Sequence, residues 1–386
     1  MFHFDVLPPL SLYIHIPWCV KKCPYCDFNS HTYRTSDDFQ IYIDAVVRDL
    51  EQSLPAIWGR RIQTIFIGGG TPSLVPADVI EKMLCDIRAR LQYKPDMEIT
   101  LEANPGTLDN QIISALGDTS INRLSIGVQS LDASKLTSLG RIHSPEQAIQ
   151  AFAAARAAGF DNINLDMMFG LPDQTQQQAL DDLSALLQLS PEHISYYQLT
   201  LEPNTLFAHS PPPIPDDDAS WDIQQQGHAL LNKYAFEQYE VSAFAKPGHQ
   251  CKHNLNYWEF GDYLGIGAGA HSKITNQATH HIERWMKFKN PAEYMQAVNV
   301  GNANQTTARL AAADVPFEFM LNALRLNRGF TMDLYEQHSG LKMSAILPVI
   351  ELAIEQGLVE YNNNHYLPTN RGRQYLNNLI EMFLPD

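Results

Sequence analysis

Positive charge is scarce in this chain: 27 Lys and Arg stand against 43 Asp and Glu in 386 residues, a formal net charge of -16. A phosphate backbone would be repelled over most of such a surface, which argues against nucleic acid as a partner. Long apolar runs are missing too. No stretch is long and apolar enough to read as a membrane span, and the N-terminal "MFHFDVLPPL" has neither the basic region nor the apolar stretch of a signal peptide. The sequence therefore predicts a cytoplasmic protein without a transmembrane segment, with peripheral membrane contact left open. Cysteine is sparse and odd in number, 5 in all, which argues against a secreted disulfide framework and fits a reducing compartment. The 45% of hydrophobic residues suffices for one large domain plus a smaller one.

Against that background a rhythm stands out. Short apolar, β-branched runs recur: "SLYIHIP", "TIFIGGG", "MEITLEAN", "RLSIGVQ", "NINLDMM" and "ISYYQLT". Amphipathic stretches lie between them. Phe39, Tyr42, Val46, Val47 and Leu50 share one face after Ser36 and Asp37, and capping pairs stand at Ser144 with Gln147 and Thr175 with Gln178. Strand followed by helix, repeated, predicts an α/β fold built as a partial (βα)6 barrel, with its chemistry at the C-terminal ends of the strands. There the sequence places a cysteine loop, Gly68 to Thr71, Glu102 with Asn104, and Gln129.

The loop-like "HSPPPIPDDD" breaks the rhythm. Expected boundaries are residues 1–217 for the barrel, 218–305 for an aromatic, glycine-rich extension and 306–386 for a C-terminal domain. In that last part helical segments precede "LVEYNNNHYLPT", a hairpin pattern, and a final helix, so the domain is mostly helical and winged-helix-like. From Thr331 onward its basic residues are only Lys342, Arg371 and Arg373, which favours a packing role over DNA binding.

Three of the cysteines, Cys19, Cys23 and Cys26, share "IPWCVKKCPYCDFNS" with spacing C-x-x-x-C-x-x-C. Structural zinc usually takes four protein ligands, and no fourth Cys or His stands at a suitable local position. Three thiolates around a [4Fe-4S] cubane leave one iron open for a small molecule. This loop after a first barrel strand, with Tyr25 before its last cysteine, resembles the radical S-adenosylmethionine superfamily. The resemblance implies that S-adenosylmethionine chelates the open iron and is cleaved by an electron from the cluster to methionine and a 5′-deoxyadenosyl radical. Gly68, Gly69 and Gly70, without Cβ atoms, would let bare backbone meet the methionine end; taken alone, they read as a tight turn.

"LYIHIPWCVKKCPYCDFNS", "FIGGGTPS", "EANPGT", "NRLSIGVQS", "LGRIH" and "NLDMMFGLP" resemble the coproporphyrinogen dehydrogenase (HemN) family, and within it the HemW branch of haem chaperones. By matched motif, the resemblance implies that Tyr13, Gly70, Thr71, Glu102, Gln129, Arg141 and Asp166 contact S-adenosylmethionine, and that the C-terminal domain is HemN-like. Carboxylates suit ribose hydroxyls or cationic groups, and Arg141 suits a carboxylate. Any one of them alone would read as a surface salt bridge or a strand-end cap.

Two departures separate the chain from the dehydrogenases. Their pattern resembles C-x-x-x-C-x-x-C-x-C, whereas Phe28 stands here at the extra cysteine position, and only eighteen residues precede Cys19. In "CKHNLNYW", His253, Asn254, Tyr257 and Trp258 match an H-N-x-x-Y-W motif that the resemblance associates with haem. Imidazole can ligate haem iron, Cys251 offers a thiol, and Tyr and Trp offer flat apolar surface. The plain alternative is an aromatic corner of the core, and on the residues alone the two readings are even. His15 reads as positioning the cysteine loop, His143 and His271 as weaker haem candidates, and Cys85 as helix packing. "GIGAGAHS" satisfies G-x-G-x-x-G/A, yet no βαβ unit surrounds it, so it reads as a close backbone pass near the barrel mouth.

The expected function is a haem chaperone holding the cluster, S-adenosylmethionine and haem, with client haemoproteins and an electron donor as partners. The alternative is an oxygen-independent coproporphyrinogen III dehydrogenase, an oxidative decarboxylase.

Overall fold

A computed structural model describes residues 2–385. The six runs form β1 (Leu10–Ile16), β2 (Arg61–Gly69), β3 (Gln92–Ala103), β4 (Arg123–Gln129), β5 (Ile163–Phe169) and β6 (His193–Gln198). They lie side by side in chain order, every neighbouring pair parallel. β1 reads buried at nearly every position, because helices and sheet interior cover both faces, which explains an apolar run in place of strict alternation. Leu12, Ile14, Ile65, Ile67, Leu101 and Leu124 form its core with residues of the covering helices. Each fully buried aliphatic side chain contributes about 1.5–3 kcal/mol.

The helices start where local chemistry dictates. Ser144 and Thr175 both make complete capping boxes with Gln147 and Gln178. The helix Phe39–Ser53 is capped by Asp38, one residue later than Ser36 and Asp37 suggest, its carboxylate accepting from the N–H groups of Gln40 and Ile41. The face read from the sequence is the one that packs, with Tyr42, Val46, Val47 and Leu50 buried.

Residues after 217 extend the sheet at both edges. On one side β6 pairs antiparallel with β8 (Ala243–Ala245), and β8 with β7 (Glu237–Gln238). On the other, β9 (Asp262–Ile266) runs parallel to β1, then β10 (His271–Asn276), β11 (His281–Lys287) and β12 (Asn304–Arg309) follow antiparallel. The sheet thus has twelve strands, seven of them in the parallel block. The seventh parallel strand, β9, is too short and glycine-flanked to stand out in the sequence. Tyr294, Val298 and Ala303 share the barrel core, so residues 218–305 pack with the barrel.

A second core joins Val315, Phe319, Met320, Tyr335, Ile350 and Leu379, and Phe2 and Phe4 from the other end of the chain insert into it. The hairpin appears where expected, with Val359–Asn362 antiparallel to His365–Pro368. Asn363 and Asn364 turn it with φ of 48° and 66°, the left-handed pair of a tight hairpin turn. Among the described residues no helix is long and apolar enough to cross a membrane.

Candidate functional site

The cysteine loop is tied down at its base before it reaches the mouth of the sheet. Trp18–Cys19 pairs with His31–Thr32, and Thr71 donates its backbone N–H to the Trp18 carbonyl at 2.7 Å. His15 fastens the far end, with Nε2 2.8 Å from the Asn29 carbonyl oxygen and Nδ1 3.0 Å from the Tyr13 hydroxyl. Burial pushes the His15 pKa down to about 4, so the ring is neutral and serves as a strut.

Cys19 is buried, Cys23 and Cys26 are half-buried, and all three are free thiols. Burial raises the Cys19 pKa against hydrogen bonds from Thr71 and Ser30, and burial followed by the neighbouring thiols raises that of Cys26 against the Phe28 backbone N–H. A metal that takes these thiols must therefore displace protons. Among the described residues no three Cys, His, Asp or Glu side chains are grouped so as to hold a metal ion as they stand. The thiols instead border one cavity of about 980 Å³.

Gly70, Thr71, Glu102, Gln129, Arg141, Asp166 and Trp258 border that same cavity. Glu102 accepts the Gly69 backbone N–H at 3.1 Å, yet burial and the nearby Asp166 carboxylate lift its pKa to about 8. Burial also raises Asp166, which Asn164 and Ser125 hold by donating at 2.8 and 3.4 Å. Gln129 ends β4 at a φ of 67°, a left-handed conformation that costs about 1–3 kcal/mol, and Tyr197 donates its hydroxyl to the Gln129 side-chain oxygen at 2.7 Å. Arg141 donates to the Gly127 carbonyl at 2.7 Å and places another guanidinium nitrogen 3.8 Å from Cys23 Sγ.

A second cavity of about 770 Å³ adjoins the first and shares Lys22, Asp27, Phe28, Ser30, Gly69 and Glu102 with it. Tyr13 and Tyr257 open onto this one.

His253 borders neither cavity. Its side chain is 2% exposed, stacked on Phe66 and edge-on to Tyr257, with Nδ1 2.8 Å from Thr64 Oγ1. The helix Lys252–Trp258 docks its first turn on Glu98 of β3, which accepts the backbone N–H groups of Lys252 and His253 at 3.1 Å each. That docking turns His253 inward and sends Tyr257 and Trp258 to opposite cavities. Cys251 is equally enclosed: its thiol faces Glu98 at 3.6 Å, and burial pushes its pKa up to about 12. As placed here, neither His253 nor Cys251 fits an iron ligand. Their motif fits a docking turn.

A Cβ on Gly70 would stand 2.5 Å from the Trp18 carbonyl oxygen and one on Gly69 2.7 Å from that of Ile16, so close packing of protein backbone is by itself a reason for glycine at both positions. Cys85 is exposed, beside Glu81 and Arg88, and is not packing. Residues the sequence did not single out are Tyr197, which holds Gln129, and Arg325, whose guanidinium lies 5.4 Å from the Trp258 ring centroid at the wall of the larger cavity. No local pattern marks Arg325, which reaches the site from another domain.

A parallel-stranded mouth carrying a three-cysteine loop and strand-end polar groups defines a radical SAM protein. Residues 13–186 match the Radical SAM superfamily and residues 310–375 the HemN C-terminal domain. The Heme chaperone HemW of Haemophilus influenzae is 47% identical over 98% of this chain and 99% of its own. That of Escherichia coli is also 47% identical, over 98% and 99%. The solved structure of coproporphyrinogen III oxidase (HemN) from Escherichia coli, a radical SAM enzyme, is similar with a TM-score of 0.82 at 25% identity, covering 98% of this chain and 90% of that one. The chain belongs to the HemW family.

Proposed function

We propose that the chain is a haem carrier that holds a [4Fe-4S] cluster and S-adenosylmethionine in the larger cavity and passes haem to client haemoproteins. The observation that carries this reading is the convergence of three free thiols and five polar strand or loop residues, Thr71, Glu102, Gln129, Arg141 and Asp166, on one cavity, with a second cavity sharing its wall. The donor set fits the cofactors. Besides the thiols, Arg141 Nε is buried there without a hydrogen-bond partner among the described residues, and such an atom is costly to leave unpaired.

Cys19, Cys23 and Cys26 would hold three irons. Arg141 would offset thiolate charge next to Cys23 and offer its free Nε–H to a carboxylate. Glu102 and Asp166, held near each other, would meet the amino group or ribose hydroxyls of the sulfonium ligand, and a cation there would draw the Glu102 proton off. The bound cluster supplies one-electron reduction of that ligand. An electron donor is required for this and is part of the proposal.

Family membership and the HemN likeness leave oxidative decarboxylation of coproporphyrinogen III as the competing reading. Phe28, 57% exposed and bordering both cavities, stands where the dehydrogenase pattern has a further cysteine. Anaerobic reconstitution followed by parallel haem titration and coproporphyrinogen turnover decides between them. The proposal expects haem binding and no vinyl-group formation, and sustained turnover with reductant and S-adenosylmethionine overturns it.

A further inference from the structure

We propose that His271, at the wall of the smaller cavity, is the axial ligand to haem iron, and that His253 is not. This rests on reading the chain as a haem carrier. A haem site needs space, a flat apolar wall, a base with a free lone pair, and cations for two propionates. The cavity of about 770 Å³ lies within the roughly 300–1,000 Å³ usual for cofactor sites. Tyr257 and Tyr263 border it as a tilted pair, ring centroids 4.4 Å apart and planes at 55°, and Phe28 lies exposed at its rim.

Three histidines border this cavity, and their partners rank them. His15 has both ring nitrogens engaged, by Tyr13 and by the Asn29 carbonyl. His31 turns Nε2 to the Lys289 carbonyl at 3.4 Å. His271 is exposed, and its ring has no hydrogen-bond partner among the described residues. Partial desolvation of the ring against the cavity wall, then the charges of Lys289 and Arg284, lower its pKa, which favours the neutral imidazole.

The glycine motif that precedes His271 gains a purpose. Gly267 and Gly269 have left-handed φ of 98° and 78°, and a Cβ on Gly267 would stand 2.5 Å from the His15 carbonyl oxygen. Only glycine lets this turn pass over the end of β1 and deliver Ala270 and His271 to the cavity wall. Lys22 and Lys289 border the same space, and neither forms an ion pair among the described residues. Of the carboxylates there, Glu102 keeps its proton to about pH 8, while Asp27 belongs, like Lys22 and Phe28, to the wall common to both cavities.

The test is ferric haem titration of the full chain, read by absorption and electron paramagnetic resonance, for the wild type, His271→Ala, His31→Ala and His253→Ala. The expected result is an imidazole-ligated spectrum that His271→Ala abolishes, with affinity lower by about tenfold or more, and that added free imidazole restores. His31→Ala and the folded fraction of His253→Ala keep the wild-type spectrum. His271→Gln repeats the measurement should the alanine variant fold poorly. A His271 variant that binds haem with the wild-type spectrum and affinity overturns the assignment, as does a His253→Ala protein of unchanged melting temperature that loses the spectrum. A wild-type chain that binds no haem overturns the carrier reading itself, and is distinguished from either of these.

Discussion

His253 Nδ1 lies 2.8 Å from Thr64 Oγ1, joining two residues 189 positions apart in a buried contact. The Thr64 hydroxyl gives its one proton to Ser11 Oγ at 2.8 Å, so the neutral imidazole donates from Nδ1 and leaves Nε2 as a buried acceptor without a partner. Burial, then the Arg123 charge, holds the His253 pKa down to about 3, and the ring stays neutral across the physiological range. The contact stitches the helix carrying Tyr257 and Trp258 to strands β1 and β2.

Thr64→Val keeps the side-chain shape and strands the His253 Nδ1–H. Unfolding in denaturant should show a loss of about 1–3 kcal/mol, with iron and sulfide content per folded chain unchanged. A stability equal to wild type would mean that the stitch contributes nothing.

The thiols give the second expectation. After anaerobic reconstitution the chain should hold about four irons and four sulfides, and serine at Cys19, Cys23 or Cys26 should abolish the cluster because a hydroxyl is a poor, hard substitute for thiolate. Cys85→Ser, on the exposed face of its helix, should load normally. Stoichiometric zinc without iron would end the cluster proposal.

Glu102 predicts a pH dependence for the chain without cofactors. The folded state keeps this proton to about 8, against an ordinary value of 4.5, so between the two the folded chain binds more protons than the unfolded one. Its contribution to stability is therefore present below the ordinary value and lost as pH rises toward the folded one. Melting temperatures recorded from acid to mildly alkaline pH should fall more steeply for the wild type than for Glu102→Gln. Parallel curves would remove Glu102 as the source.

A buried ion pair supports the glycine turn beside the smaller cavity. Asp49 accepts from Lys287 Nζ at 2.5 Å, from the Tyr294 hydroxyl at 2.8 Å and from the Gly267 backbone N–H at 3.3 Å. Asp49→Ala leaves the Lys287 ammonium buried and unpaired, which should cost about 3–5 kcal/mol. Haem affinity of the surviving folded protein should also fall, because the turn that carries His271 loses its anchor. Unaltered affinity in the folded fraction would show that the turn holds without Asp49.

The barrel and the cysteine loop were legible in the sequence for local reasons. Strand and helix periods, the capping pairs at Ser144 and Thr175, and the spacing of Cys19, Cys23 and Cys26 all lie within about a turn or a strand of chain, where short-range sterics and hydrogen bonding act. The same holds for the hairpin at Asn363 and Asn364, since a tight turn needs its left-handed residues adjacent.

What the linear pattern left open was direction. His253 and His271 are both histidines near aromatic residues, and the sequence alone does not say which of them faces a cavity, because burial depends on which distant strand a helix meets. Glu98 and Thr64 draw His253 inward, while the turn through Gly267 and Gly269 leaves His271 at a cavity wall. Gly70 likewise gives way to the Trp18 carbonyl, a neighbour brought close only by loop closure. The sequence by itself determined the strand rhythm, the caps and the thiol spacing; tertiary packing alone decided which polar groups face a cavity, because long-range burial selects among side chains that local chemistry leaves equivalent.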